Sequence, residues 1–289
     1  MPIIPLNKIE VFYGRERELK RLKEALEAGG PAVVTGPMGS GKTTLFKRFH
    51  AENPGNTSLM DTRCGSWNHQ ESGLPGKIVM TRTMNWYLLI DHVSPDGSVL
   101  EGIRRMVSAD LKVALAVTYS QKVIGEIHDN FPEAEIIELK PFILRNFEEY
   151  LKIKAPEIRF TRDGIEYLHR LTGGNPLFTD CFLNVLSDGP IYGPSLLEAH
   201  FEAKFQQIGF RWLAEIQCLN GVKRGIISLL YRKSMDEDEI EEETGRDVRR
   251  ELEELELAGF LVHDNGKWSV SGEFLKRILE LLEKQTGCI

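Results

Sequence analysis

The sequence predicts an α/β protein in three parts: a parallel-sheet core with helices on both faces, an all-helical lid, and a C-terminal winged-helix unit. Three observations carry this. A short apolar strand runs into a glycine-rich turn and then a helix between residues 31 and 49. Further β-branched apolar runs alternate with helical patterns as far as residue 139, which is how parallel sheets covered on both faces are built. After Pro141 the patterns are helical, until one Asn-Gly hairpin close to the C-terminal end.

Taken in order, residues 14–28 place Leu19, Leu22, Ala25 and Leu26 on one helical face, and Gly29-Gly30 stops the helix. Pro31 to Thr35 reads as a buried strand, and the helix after the glycine turn starts at Thr43. Strands follow at 57–61, 86–91, 112–118 and 135–139, with helical patterns at 98–109 and 120–130. Residues 62–85, with Gly65, Gly73, Pro75 and Gly76, read as an irregular loop. Beyond Pro141, helices are expected at 145–153, 161–172 and 176–187, then a break over 188–194 and one long helix at about 195–217. The tail has the order of a winged helix: helices at 222–232, 236–243 and 246–258, strands at 260–263 and 267–270 around Asp264-Asn265-Gly266, and a helix at 272–284.

The 289 residues carry 36 basic and 43 acidic side chains, a net charge of −7. That balance argues against a chain that grips nucleic acid over its whole surface. The acidity is local: residues 235–256 hold 12 acidic and 3 basic side chains, leaving 33 basic against 31 acidic elsewhere. No apolar run approaches the roughly 20 residues of a membrane span, and the first residues lack the pattern of a signal peptide, so no membrane association and a cytoplasmic location are expected. Cys64, Cys181, Cys218 and Cys288 are scattered with no CxxC pair, and the seven histidines form no HExxH, which argues against a zinc site.

Gly36-Pro37-Met38-Gly39-Ser40-Gly41-Lys42-Thr43 matches GxxxxGK(S/T) in full and lies between a strand and a helix, the context the motif requires. Its glycines let backbone N–H groups turn toward phosphate, and the helix that follows offers its positive dipole end. Lys42 supplies charge toward the β- and γ-phosphates and Thr43 a hydroxyl to Mg2+, with Thr44 next in the same first turn. The cofactors expected are therefore ATP or ADP with Mg2+. A second metal partner should end a neighbouring buried strand, and Asp91 does so after Trp86-Tyr87-Leu88-Leu89-Ile90. The residue after it is His92, where many such ATPases carry glutamate to orient or deprotonate water. Either its imidazole takes the base role, or His92 ends the strand structurally in a slow hydrolase or nucleotide-gated switch. Lys42, Asp91 and His92 are the candidate catalytic residues.

Several pieces together resemble the AAA+/STAND class of P-loop ATPases, and within it the archaeal ATPase family related to origin-recognition initiators. They are Phe12-Tyr13-Gly14-Arg15-Glu16-Arg17-Glu18-Leu19, similar to an FxGRExEL box, then the phosphate loop, the Asp91 strand, and Leu171-Thr172-Gly173-Gly174-Asn175-Pro176-Leu177-Phe178, which resembles the GxP motif of the lid. Pro141 to Leu151 is similar to the family's lid entrance. The resemblance covers about residues 10–187 and the tail. It implies a P-loop ATPase core over 1–140, a helical lid over 141–190, and a linker helix with a winged helix over 191–289. It also implies that Gly14 and Arg15 lie on the adenine side and that Gly174 to Pro176 reach the nucleotide. Relatives often place arginine at the sensor strand end. Here that end reads Val117-Thr118-Tyr119-Ser120-Gln121, leaving Thr118 or Ser120 as polar sensors, and Arg104 and Arg105 as candidate arginine fingers.

Two functions are carried forward. One is an ATPase in which nucleotide binding or hydrolysis moves the lid and tail; the other is a hydrolysis-poor, nucleotide-gated module that recruits protein or DNA. A small-molecule kinase fits less well, since no arginine-rich lid follows the core. In the tail, Arg246, Arg249 and Arg250 are expected to share a helix face that could meet DNA phosphates. The surrounding acidic residues favour a protein partner or self-association instead.

Overall fold

A computed structural model describes residues 12–61, 87–93, 97–108, 112–118 and 121–287. The loop expected over 62–85, together with Trp86, Tyr119, Ser120, Cys64 and Cys288, lies outside the described residues.

The first helix, α1 (Glu16–Glu27), precedes β1 (Ala32–Gly36), which feeds the glycine turn and α2 (Lys42–Glu52). There follow β2 (Thr57–Asp61), β3 (Tyr87–Asp91), α3 (Gly97–Ser108), β4 (Lys112–Thr118), α4 (Gln121–Asn130) and β5 (Glu135–Glu138). The five strands form one sheet in the order β2-β3-β4-β1-β5, and every pairing is parallel. Because side chains alternate along a strand, β1 sends Val33 to one face and Val34 to the other. Val33 joins Leu88, Ile90, Val113 and Leu115 against Ile103 and Met106 of α3 and Val123 and Ile127 of α4. Val34 joins Leu89, Ala114, Ala116 and Ile137 against Leu22 and Leu26 of α1 and Leu45, Phe46 and Phe49 of α2. This two-sided burial is why the central strands β1, β3 and β4 read as largely apolar runs. The edge strand β5 keeps glutamates at both ends, Glu135 and Glu138, which discourages pairing with another chain.

After Pro141 come α5 (Leu144–Lys154), α6 (Arg162–Thr172), α7 (Pro176–Leu183), α8 (Pro194–Ile208), α9 (Phe210–Cys218), α10 (Gly221–Leu230), α11 (Glu237–Thr244), α12 (Arg249–Leu257) and α13 (Gly272–Thr286). Two short strands, β6 (Arg159–Phe160) and β7 (Ile191–Tyr192), pair in parallel, so the expected break at 188–194 contains a pairing that a two-residue strand cannot announce in sequence. The hairpin strands β8 (Leu261–Asp264) and β9 (Lys267–Val270) are antiparallel around Asn265 and Gly266, both with positive φ, as the Asn-Gly pair requires. One apolar cluster runs without interruption from Phe142 to Leu281, joining α5–α7 to α8–α13.

Three sequence expectations need correction. The helix expected over 176–187 ends at Leu183. The long helix expected over 195–217 is broken at Gly209, where a side chain would meet Ile278 of α13 at 2.9 Å. The helix expected from 246 begins at Arg249, so Arg246 lies outside it and does not share a helical face with Arg249 and Arg250. No helix among the described residues is long and apolar enough to cross a membrane.

Candidate functional site

The sheet order brings the site together. β1 delivers Gly36 beside Thr118 of β4, and β3 ends at Asp91 on the far side of β4. Gly36, Gly39 and Gly41 have φ of 153°, 79° and 100°, the last two left-handed, and Gly41 is the N-cap of α2 with no side chain capping it. The leading N–H groups of α2, on Lys42, Thr43 and Thr44, therefore have no acceptor within the helix, and the backbone between Gly36 and Thr44 forms a concave, donor-rich turn. The side-chain oxygens of Thr35 and Ser40 are buried at the base of this turn without a hydrogen-bond partner. Donors of this kind suit an anion, and a phosphate group fits them.

Lys42 is 9% exposed. Its Nζ donates to the carbonyl oxygens of Gly36 at 2.7 Å and Pro37 at 2.9 Å. Burial pushes its pKa down to about 8, against the opposing pull of the Asp91 charge. Asp91 is 2% exposed, and its Oδ1 accepts the backbone N–H of His92 at 2.9 Å. His92 has φ 58°, an uncommon left-handed backbone for a histidine, and its Nε2 lies 3.5 Å from Thr43 Oγ1 and 3.5 Å from Asp91 Oδ2. Thr43, Asp91 and His92 thus converge from α2 and from the end of β3. Among the described residues, no group of three or more His, Cys, Asp or Glu side chains could hold a metal, so a cation here relies on the Thr43 hydroxyl as well. A hydroxyl, a carboxylate and the oxygens of a nucleotide are donors that Mg2+ accepts.

Arg15, expected on the adenine side, lies behind the loop. It is 7% exposed, and its guanidinium donates to the carbonyls of Ser40 at 3.3 Å and Lys140 at 2.5 Å. It also pairs with Glu18 at 3.2 Å and stands over the Phe142 ring at 4.9 Å. Burial lowers its pKa, and Glu18 opposes that shift. Arg15 therefore ties the first box to the phosphate loop and to the start of the helical segment.

From the other side the loop is met by Asn175 and Leu177, the neighbours of Pro176. Asn175 Oδ1 caps α7 by accepting from Leu177 N at 2.9 Å, while its Nδ2 donates to the Met38 carbonyl at 2.8 Å. A Cβ on Gly39 would stand 2.4 Å from Leu177 Cβ, so only glycine allows this approach. Asn-Pro announces a capped helix with proline in its first turn, a signal for the cap but none for the reach to Met38. A second contact was silent in the sequence: a Cβ on Gly259, just past α12, would lie 2.7 Å from Met38 Cβ. Three of the candidate arginines are paired with glutamates of the chain itself. Arg105 pairs with Glu101 at 3.1 Å, Arg249 with Glu237 at 3.0 Å and Arg250 with Glu254 at 2.8 Å, and Arg104 is exposed on α3.

Residues 11–127 match the family model described as AAA ATPase domain. Among solved structures, the chain is similar to a Walker-type ATPase of Pyrococcus abyssi, with 15% identity over 94% of this chain and 97% of that one and a TM-score of 0.64. It is also similar to the RuvB Holliday junction branch migration motor of Thermotoga maritima, with 19% identity over 92% of this chain and 95% of that one and a TM-score of 0.51. At such identities the likeness is one of fold. No curated protein sequence matches the chain significantly. The match covers the N-terminal part of the chain, and the two likenesses extend its fold over nearly the whole of it.

Proposed function

We propose, on the premise that residues 11–127 are an AAA+ P-loop ATPase domain, that this chain binds ATP and ADP with a divalent cation at Gly36–Thr44. Occupancy of that loop is passed to the helices beyond residue 141. The observation that supports this best is the convergence on one turn of a buried lysine, a buried strand-end aspartate and a lid asparagine bonded to the Met38 carbonyl. Lys42 exchanges its bonds to the Gly36 and Pro37 carbonyls for phosphate oxygens. The N–H groups of Lys42, Thr43 and Thr44 hold the same phosphates, and Thr43 with Asp91 holds the cation. When bound, the cation supplies neutralisation of charge between the β- and γ-phosphates. Arg15 positions the loop instead of touching nucleotide, because its guanidinium is engaged by the carbonyls of Ser40 and Lys140. Any shift of Met38 on phosphate entry reaches α7 through Asn175 and α12 through Gly259.

Within this proposal residues 141–190 act as the lid, and residues 191–289 as a linker and winged helix. Kinship with the archaeal, initiator-related ATPases of the STAND kind rests on the boxes at Phe12–Leu19 and Leu171–Phe178. For the tail, the partner we favour is a protein or a second copy of the chain. Arg249 and Arg250 are engaged by glutamates of the tail itself, and phosphate would have to displace them.

The second reading, a nucleotide-gated module with little hydrolysis, is favoured by His92, which stands where a water-activating glutamate is usual. Binding of a fluorescent ATP analogue and phosphate release, measured on the native chain, Lys42→Ala and His92→Glu, separate the two. Hydrolysis predicts release by the native chain that Lys42→Ala abolishes. Binding without release, with release gained by His92→Glu, decides for the switch. Failure to bind either nucleotide overturns both.

A further inference from the structure

We propose that Glu256, on the tail helix α12, sets the nucleotide preference of the phosphate loop. Its carboxylate disfavours the γ-phosphate, so the chain holds ADP more tightly than ATP. The inference rests on the reading that nucleotide binds at Gly36–Thr44.

Two contacts seat the end of α12 on the core. Gly259, buried just past the helix, has no room for a Cβ, which would lie 2.7 Å from Met38 Cβ of the loop. Leu257 packs against the sheet cluster that includes Val93, the residue after His92, and Val117 of β4. Leu252 and Leu255 belong instead to the cluster of the tail and lid. At about 100° per residue, Glu256 falls midway between Leu255 and Leu257, in the angle between the tail's own core and the sheet. It is 9% exposed, and its backbone carbonyl accepts the N–H of Gly259 at 2.9 Å, which places it in the turn that meets Met38. Among the described residues its carboxylate has no hydrogen bond or ion pair, whereas Glu254 is held by Lys223 and, at 2.8 Å, by Arg250. Burying a carboxylate without a partner costs stability, and such departures from good packing gather at functional sites.

The electrostatics set the preference. The last turn of α12 carries no basic residue, and a helix presents the negative end of its dipole at its C-terminus. An anion-binding loop is thus met by a helix end and an unpaired carboxylate of the same sign as its ligand. Burial between tail and core limits screening, so the repulsion exceeds that of a surface charge. Lys42 and the loop N–H groups serve both nucleotides alike; the added charge of the γ-phosphate is what the tail opposes.

Dissociation constants of fluorescent ADP and of a fluorescent β,γ-imido ATP analogue, resistant to hydrolysis, are measured with Mg2+ on the full chain and its variants. The native chain is expected to bind the diphosphate more tightly. Glu256→Gln keeps the shape of the side chain and should shift the affinity ratio toward the triphosphate by about threefold to tenfold. Leu257→Ala, which loosens the seat on the sheet, should shift it the same way, and decides if Glu256→Gln does not fold by circular dichroism. Glu242→Gln, the same charge change at an exposed position of α11, should leave the ratio within about twofold. A native preference for the triphosphate, or a ratio that Glu256→Gln does not move, overturns the role of Glu256 and leaves nucleotide binding intact. An equal shift in Glu242→Gln also overturns it, by tracing the effect to net charge. Binding of neither nucleotide overturns the underlying reading, and this one with it.

Discussion

Gly173 and Gly174 have adjacent left-handed backbones, φ 60° and 69°, for different reasons. A methyl group on Gly173 would meet nothing within 4 Å, while one on Gly174 would lie 2.1 Å from the Phe142 carbonyl oxygen. Gly173→Ala should therefore cost about 1 kcal/mol of conformational strain and Gly174→Ala about 3 kcal/mol, because the second also forces the turn away from the Phe142 carbonyl. Urea denaturation of both variants checks this, and equal losses would discount the contact. Asn175 separates in the same way. Asn175→Asp keeps the cap on α7 and loses the donor to Met38; Asn175→Ala loses both, and about 1 kcal/mol of stability with the cap. Both should weaken nucleotide binding, and native affinity in Asn175→Asp would show that the loop does not communicate through this bond. The sequence reveals Gly36–Thr44 and Asp91 because their chemistry is spelled by neighbours in the chain. It reveals only half of Asn175, since a cap is local and a bond across 137 positions is not. The backbone of His92 is hidden for the same reason: the bond that fixes the strand end, from the Val93 N–H to the Ala116 carbonyl, is made across the sheet.

Among the elements, the central strands β1, β3 and β4 are legible to within a residue or so, because burial on both faces demands largely apolar runs. The helices beyond Pro141 are legible in type but not in extent. Gly209 interrupts the expected long helix through its approach to Ile278, a packing event between distant segments. Gly209→Ala should cost about 1–2 kcal/mol. In combination with Ile278→Val part of that should return, giving a coupling of about 1 kcal/mol in a double-mutant cycle by chemical denaturation. Additive losses would mean that the break has another cause. On α7, burial and then the Asp180 charge push the Cys181 thiol up to about 11. A folded value above the unfolded one, about 8.5, stabilises fully below that value and is lost as pH rises through about 11. At pH 8, alkylation followed by mass spectrometry should modify the exposed Cys218 at once and Cys181 only as α7 opens. Equal rates would contradict its protection.

At the scale of the whole molecule, apolar packing crosses residue 190. Phe274 of α13 stacks on Phe178 of α7, with ring centroids 4.6 Å apart, and meets Trp212 and Phe201 edge-on. Phe274→Ala should cost about 3–5 kcal/mol. Amide exchange in that variant should rise across 144–183 as well as across 194–286; a rise confined to the C-terminal part would restore two independent units. A sequence pattern could not show this union, because each helix carries an apolar face and none names its partner. The central place of β1 has a different kind of outcome. Its partners, β4 and β5, lie far along the chain: Val34 waits for Ala116 on one side and for Ile137 on the other. At ribosomal speeds of about 5–20 residues per second, that leaves a largely apolar strand with both edges open for roughly 4–16 s and the edge toward β5 open for roughly 5–20 s during synthesis. The nascent core thus exposes open strand edges before it is a domain, and slower translation between β1 and β5 should lower the soluble yield.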